Sequence, residues 1–198
     1  MSFENILNCV VSMLLTLAAP AAIGMGGAAL VVRLTGRRQA KVDGRIYPIN
    51  TRFGYSALEM KEYWSALQAE GRAAELRFLA ADYVYTIVLG ATMIGSLAWR
   101  LHHVPEWPFV LVVFLAVVSD CIEDALQRGQ IRKYPFEQSG GMPEHIPVAS
   151  FATQCKLVLY FLGFLMLACL ACPLALPKAL AMLLSFAPAL AGMTGRIG

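Results

Sequence analysis

The apolar positions of this chain come in long blocks, not in the alternation expected of strands. Ile6 to Val32, Phe78 to Trp99, Trp107 to Leu126 and Phe151 to Cys172 are each predominantly apolar. Each reaches the roughly 20 residues a helix needs to cross about 30 Å of hydrocarbon. They predict transmembrane helices over about 6–32, 78–100, 107–126 and 151–172. A fifth block, Ala179 to Met193, is shorter and contains Pro188, which predicts a short interfacial or re-entrant helix over 179–193. The expected fold is all-α, a single integral membrane domain in which four spans form a bundle with one further amphipathic helix.

That amphipathic helix is predicted over 56–77. Ser56 and Glu59 fit the S-x-x-E capping box, with Tyr55 and Met60 at the flanking hydrophobic-staple positions. Met60, Tyr63, Trp64, Leu67, Gly71, Ala74 and Phe78 then recur at three- and four-residue steps, while Glu59, Glu62, Glu70, Arg72 and Glu75 lie mainly on other faces. Gly71 marks a bend where the surface helix turns into the membrane. The preceding KVDGRIYPINTRFG reads as a short irregular or extended stretch with Asp-Gly and Tyr-Pro turn signals. In the first span, Pro20 predicts a kink, and the small residues around it predict close helix packing.

Composition strengthens the membrane reading. Of 198 residues, 58% are hydrophobic and only 15% charged, against about 25% charged in a soluble domain. The acidic start MSFEN and the long first block do not make a signal peptide, so the block is expected to remain as a span. The placement of the charges orients the bundle. Arg33, Arg37, Arg38, Lys41 and Arg45 follow the first span, and Arg128, Arg132 and Lys133 follow the third. Basic short loops stay in the cytoplasm, so the N-terminus is expected outside, with segments 33–77 and 127–150 cytosolic. The same clusters suit anionic lipid headgroups, and no nucleic-acid-binding motif accompanies them. A bacterial inner membrane is the expected location. Membrane lipids are the expected partners, with a homo-oligomer or a second membrane protein as further candidates. No cofactor is expected.

The ionisable residues inside the spans fall at one depth. Asp82 lies about 6 Å into the second span from the cytosolic side and Asp120 about 9 Å into the third, at 1.5 Å rise per residue. Lys156 sits at a similar depth in the fourth. Glu123 and Asp124 share a helical face with Asp120 but lie nearer the exit, where they either join the layer or meet solvent. Tyr85 and Thr86 share the face of Asp82, and Arg72 and Arg77 are placed to reach the layer from below. Facing lipid, such groups cost several kcal/mol, so they are expected to face the bundle interior. Asp82, Asp120, Glu123, Lys156, Tyr85 and Arg72 form the candidate site. Asp120, Glu123 and Asp124 are weak candidates for a metal, although no metal is expected.

The order Gly71-Arg72, Asp82, Asp120-x-x-Glu123 and Lys156 resembles a group of uncharacterised bacterial four-span integral membrane proteins whose third span tends to end in D-x-x-E-N. Here Asp124 stands in place of the Asn. The resemblance covers roughly residues 55–165. It implies that Asp82, Asp120, Glu123 and Lys156 act as one unit, and it implies no activity.

Three functions stay open: a structural or accessory bundle held by the polar layer, a proton- or ion-coupled transporter or channel component, and a lipid-headgroup enzyme using the carboxylates. The sequence lacks G-x-S-x-G, H-E-x-x-H and P-loop motifs. Of its three histidines, His102 and His103 lie in the outer loop, leaving His145 to fold over the acids. Cys169-Leu-Ala-Cys172 has redox spacing at the wrong end of a helix for a stabilised thiolate. Disulfides at Cys169–Cys172 or at Cys9 both remain open.

Overall fold

The computed structural model describes residues 3–42, 45–47, 53–101, 107–136 and 141–171, with no side chains described at 41–47, 100 and 101. The expected short helix at 179–193 lies outside these residues. The described chain is helical apart from one two-stranded ribbon. Helix α1 (Phe3–Ala22) leads through a π-helical turn, Ile23–Gly27, into α2 (Ala28–Thr35). Strands β1 (Ala40–Val42) and β2 (Arg45–Tyr47) pair antiparallel, with Val42 opposite Arg45. Then come α3 (Ala57–Ala66), α4 (Gln68–Leu101), α5 (Trp107–Ile131) and α6 (Ile146–Ala171).

Three described helical stretches are long and apolar enough to cross a membrane: Phe3–Thr35, Gln68–Trp99 and Ile146–Ala171. This fits a membrane protein. Val84, Ile87, Phe114 and Phe151 stay exposed, a surface suited to lipid more than to water. Helix α5 is long enough to join them, but Asp120, Glu123 and Asp124 fall inside any crossing-length stretch of it.

Several boundaries differ from the sequence reading, each for a local reason. The first helix starts at Phe3 and ends at Thr35, and its π-turn begins three residues after Pro20. Proline lacks a backbone N–H and its ring crowds the carbonyl four residues earlier, so a register change beside it is expected. Gly36, at φ 67°, closes α2 in the left-handed conformation, with Arg37 N–H donating to the Val32 carbonyl at 3.2 Å.

The amphipathic segment is two helices. The break falls at Leu67 and Gln68, where Gln68 has φ 57°, and not at Gly71. Gly71 serves the corner differently. A Cβ there would lie 2.9 Å from that of Leu67, so the missing side chain lets the first turn of α4 fold against it. The capping box forms as read: Glu59 N–H donates to Ser56 Oγ at 3.2 Å, and Ser56 N–H donates to Glu59 Oε2 at 2.7 Å.

The chain divides into two compact units. One comprises residues 1–27, 87–117 and 157–198, and the other residues 28–86 and 118–156. Helices α4, α5 and α6 contribute to both. The first unit has a wholly apolar core of Met93, Leu97, Phe109, Val113 and Leu167. Gly90 and Gly163 let neighbouring side chains seat against their backbone there, since a Cβ on either would meet Val117 Cγ2 at 2.6 Å or Met93 Cε at 2.9 Å. Such small-residue contacts are how helices associate in lipid, where burying apolar surface between helices gains little.

The second unit has an apolar cluster built from the predicted stripe. Met60, Tyr63, Trp64 and Leu67 pack with Tyr55, Ile131, Phe136, Ile146 and Ala149, and Ala74 and Phe78 are also buried. Beside that cluster the unit buries ionisable residues.

Candidate functional site

The polar centre of the second unit is assembled from α4, α5, α6 and Tyr55, just ahead of α3. On α5, Asp120 is three and four residues from Glu123 and Asp124, which are four and three residues from Gln127, so the four share one face. All four are buried, the last three completely. The expectation that Glu123 and Asp124 belong equally to a solvated exit is therefore corrected. They cannot reach water, and their face is turned toward Asp82 of α4 and Lys156 of α6.

Lys156 ties the acids together. Its ammonium lies 2.6 Å from Asp120 Oδ1 and 2.6 Å from Glu123 Oε2, with both carboxylates buried. The second oxygen of each carboxylate is held as well. Thr86 donates to Asp120 Oδ2 at 2.7 Å. Glu123 Oε1 accepts from Tyr55 Oη at 3.0 Å and from Gln127 Nε2 at 2.8 Å. Gln127 also donates to the phenol oxygen at 2.6 Å, with Thr153 Oγ1 3.2 Å from it. Burial first, and then the Glu123 carboxylate, raise the Tyr55 pKa well above the ordinary phenol range, so Tyr55 keeps the proton it donates.

Asp82 and Asp124 stand beside Asp120. Carboxylate oxygens of Asp82, Asp120 and Asp124 lie within 4.8 Å of one another. Asp82 is 7% exposed, and Asp124 is fully buried with neither oxygen hydrogen-bonded. Four carboxylates thus share one lysine. Fully ionised, the group carries a net charge of −3, and an uncompensated buried charge of that size must take up protons or a cation.

A second buried pair anchors the region after α2. Arg37 makes a two-pronged contact with Glu75, Nε to Oε2 and Nη2 to Oε1, each at 2.8 Å, and its guanidinium lies 3.8 Å above the Phe78 ring. Tyr63 donates to the same Glu75 at 3.4 Å. Burial works against the Arg37 charge, but Glu75 and Tyr63 more than offset it, and the net shift is upward. Tyr63 is raised by burial and then by Glu75.

The predicted residues divide accordingly. Asp82, Asp120, Glu123 and Lys156 lie together in one unit, and Asp124 joins them. Half-buried Tyr85 lies near enough to Asp82, Asp120 and Lys156 to feel their charges. Arg72 does not join. It donates to the Trp64 carbonyl at 2.9 Å and lies 4.1 Å above the Tyr134 ring, bracing the corner between α3 and α4. Arg77 turns to the Thr35 carbonyl. The weak metal candidates change membership: Glu123 is taken up by Lys156, Tyr55 and Gln127, and Asp82 replaces it beside Asp120 and Asp124.

His145 is exposed at the start of α6 and does not cover the acids. Cys9 is disulfide-bonded and Cys169 is a free thiol, so the CxxC pair is not joined.

Glu75 and Gln127 escaped the sequence reading. Gln127 continues the spacing of Asp120, Glu123 and Asp124 and was findable on that signal. Glu75 had none, because its partner is 38 residues away. No protein family model, curated protein or solved structure matches this chain.

Proposed function

We propose that the protein is a multi-pass membrane protein of the ion-handling class, an ion-coupled transporter or channel component. In this reading α5 is a fourth span, whose acids are tolerated because they are buried inside the second unit and partly neutralised by Lys156. The N-terminus lies outside. The basic loops support this, as does the disulfide at Cys9, since such bonds persist in oxidising compartments. Exposed Trp99 and Trp107, flanking the loop between α4 and α5, suit a membrane–water interface. A bacterial inner membrane and kinship with the four-span D-x-x-E-N group complete the proposal. Association with a second copy would supply a pore that four spans alone do not.

One observation carries the functional part: Asp124 is fully buried, ionisable and without a hydrogen bond, beside two further acids. A purely structural layer has no use for it, because a buried carboxyl without a hydrogen bond destabilises whether it is charged or neutral. The Lys156 clamp favours a structural role for its own members, and we assign Asp120 and Glu123 that task alongside any other. The test is cation flux in proteoliposomes. Wild-type protein should carry cations down a gradient, and Asp124→Asn should lose the flux while keeping its unfolding temperature in detergent. Flux no greater than in protein-free liposomes, or flux untouched in Asp124→Asn, contradicts the reading. Separately, a reporter fused at residue 40 should be cytosolic.

A further inference from the structure

We propose that Asp82, Asp120 and Asp124 bind one hard divalent cation of the Mg²⁺ or Mn²⁺ type, an inference that rests on the ion-handling reading and narrows it. The three carboxylates come from two helices and are all buried, with an oxygen from each within 4.8 Å of the other two. Oxygens bound to one Mg²⁺ at about 2.0–2.1 Å lie at most about 4.2 Å apart, so oxygens within 4.8 Å of one another would have to close in by up to about 0.6 Å to share the ion. The fully buried Asp124 supplies the independent sign. Both of its oxygens lack hydrogen-bond partners, although the carboxylate is aimed at two other acids. Protein interiors seldom leave such a group unsatisfied, and an ion is among the standard explanations.

The donor set specifies the class of ion. Among the described residues only carboxylate oxygens converge, with no imidazole or thiolate beside them, which selects a hard cation over zinc or copper. Charge agrees. Asp82, Asp120, Glu123 and Asp124 against Lys156 give −3, and a divalent ion brings this to −1. The surrounding contacts look like those of ligands held in place. Lys156 and Thr86 each occupy one lone pair of Asp120, fixing the carboxylate plane while leaving each oxygen a second lone pair for a metal.

The test is Mn²⁺ binding to the purified full-length protein in detergent, followed by electron paramagnetic resonance. Wild-type protein should hold one Mn²⁺ per chain, displaced by Mg²⁺. Asp124→Asn and Asp82→Asn should each weaken binding at least about tenfold, the lower end of what even an outer-shell change costs. The exposed control Glu70→Gln should leave it unchanged. Carbodiimide labelling of the wild type, read by peptide mapping, needs no variant: Mn²⁺ should protect the peptide carrying Asp120 and Asp124. No stoichiometric Mn²⁺ on the wild type, binding that survives both aspartate variants, or labelling indifferent to Mn²⁺ would overturn the proposal. Mn²⁺ bound without cation flux makes the ion structural and defeats only the transport reading. Monovalent flux without Mn²⁺ binding defeats only this inference.

Discussion

The two units of this molecule draw on the same three helices and are held by opposite means. In one, α4, α5 and α6 meet through Met93, Leu97, Phe109, Val113 and Leu167, with glycines at the closest approaches. In the other, the same helices carry Asp82, Asp120, Glu123, Asp124 and Lys156, all buried. An apolar core needs only shape. A buried ionic one needs each partner present, and breaking a pair costs more than the pair was worth. The difference separates residues that merely pack from residues retained despite their cost, and Asp124 is the clearest of the second kind.

The comparison breaks most violently at Lys156. Lys156→Met strands the two carboxylates that the ammonium clamps, Asp120 and Glu123, and should cost about 3–5 kcal/mol or prevent folding, read as loss of the folded peak in size-exclusion chromatography. Adding Glu123→Gln should recover part of the loss. In the apolar unit the largest effect is expected at Gly90. Gly90→Ala sets a Cβ 2.6 Å from a stiff valine methyl and should cost about 1–3 kcal/mol by thermal unfolding, as overpacking does. Gly163→Ala should cost less, because the flexible end of Met93 can move aside.

Tyr55→Phe, which removes a donor to Glu123, should cost about 1–2 kcal/mol near neutral pH. It also tests linkage. The Tyr55 pKa is higher folded than unfolded, so its contribution is fully present below the unfolded value of about 10 and fades as pH rises toward the folded one. Alkaline destabilisation should therefore be shallower in the variant. The smallest effect belongs to the exposed Arg38–Glu70 pair. Arg38→Ala should change stability by less than about 1 kcal/mol.

Much of this was legible in the chain. The blocks gave the helices, and the three-and-four spacing from Met60 to Phe78 named a buried stripe whose members are all buried. Asp82, Asp120 and Lys156 were placed together by depth alone, because in lipid the cost of a charge dictates where it points. What escaped was set by partners distant in sequence. Glu75 looked like a surface residue until Arg37 met it, and Arg72 looked available until Trp64 and Tyr134 took it. The corner at Gln68 rests on a left-handed residue that is not glycine, so no glycine signal marked it. Glu123 and Asp124 were ambiguous because exit residues and interior residues share one spacing.

The account turns on the excess of carboxylates over cations, and one contrast tests it directly: the unfolding temperatures in chelator-treated detergent of wild type, Lys156→Met and Asp124→Asn. If the excess is real, losing the cation lowers the temperature sharply, whereas losing the unpaired acid leaves it unchanged or raises it. An Asp124→Asn variant destabilised as far as Lys156→Met would mean that Asp124 is bound into the scaffold like its neighbours, and the centre would be a structural ion-pair network only.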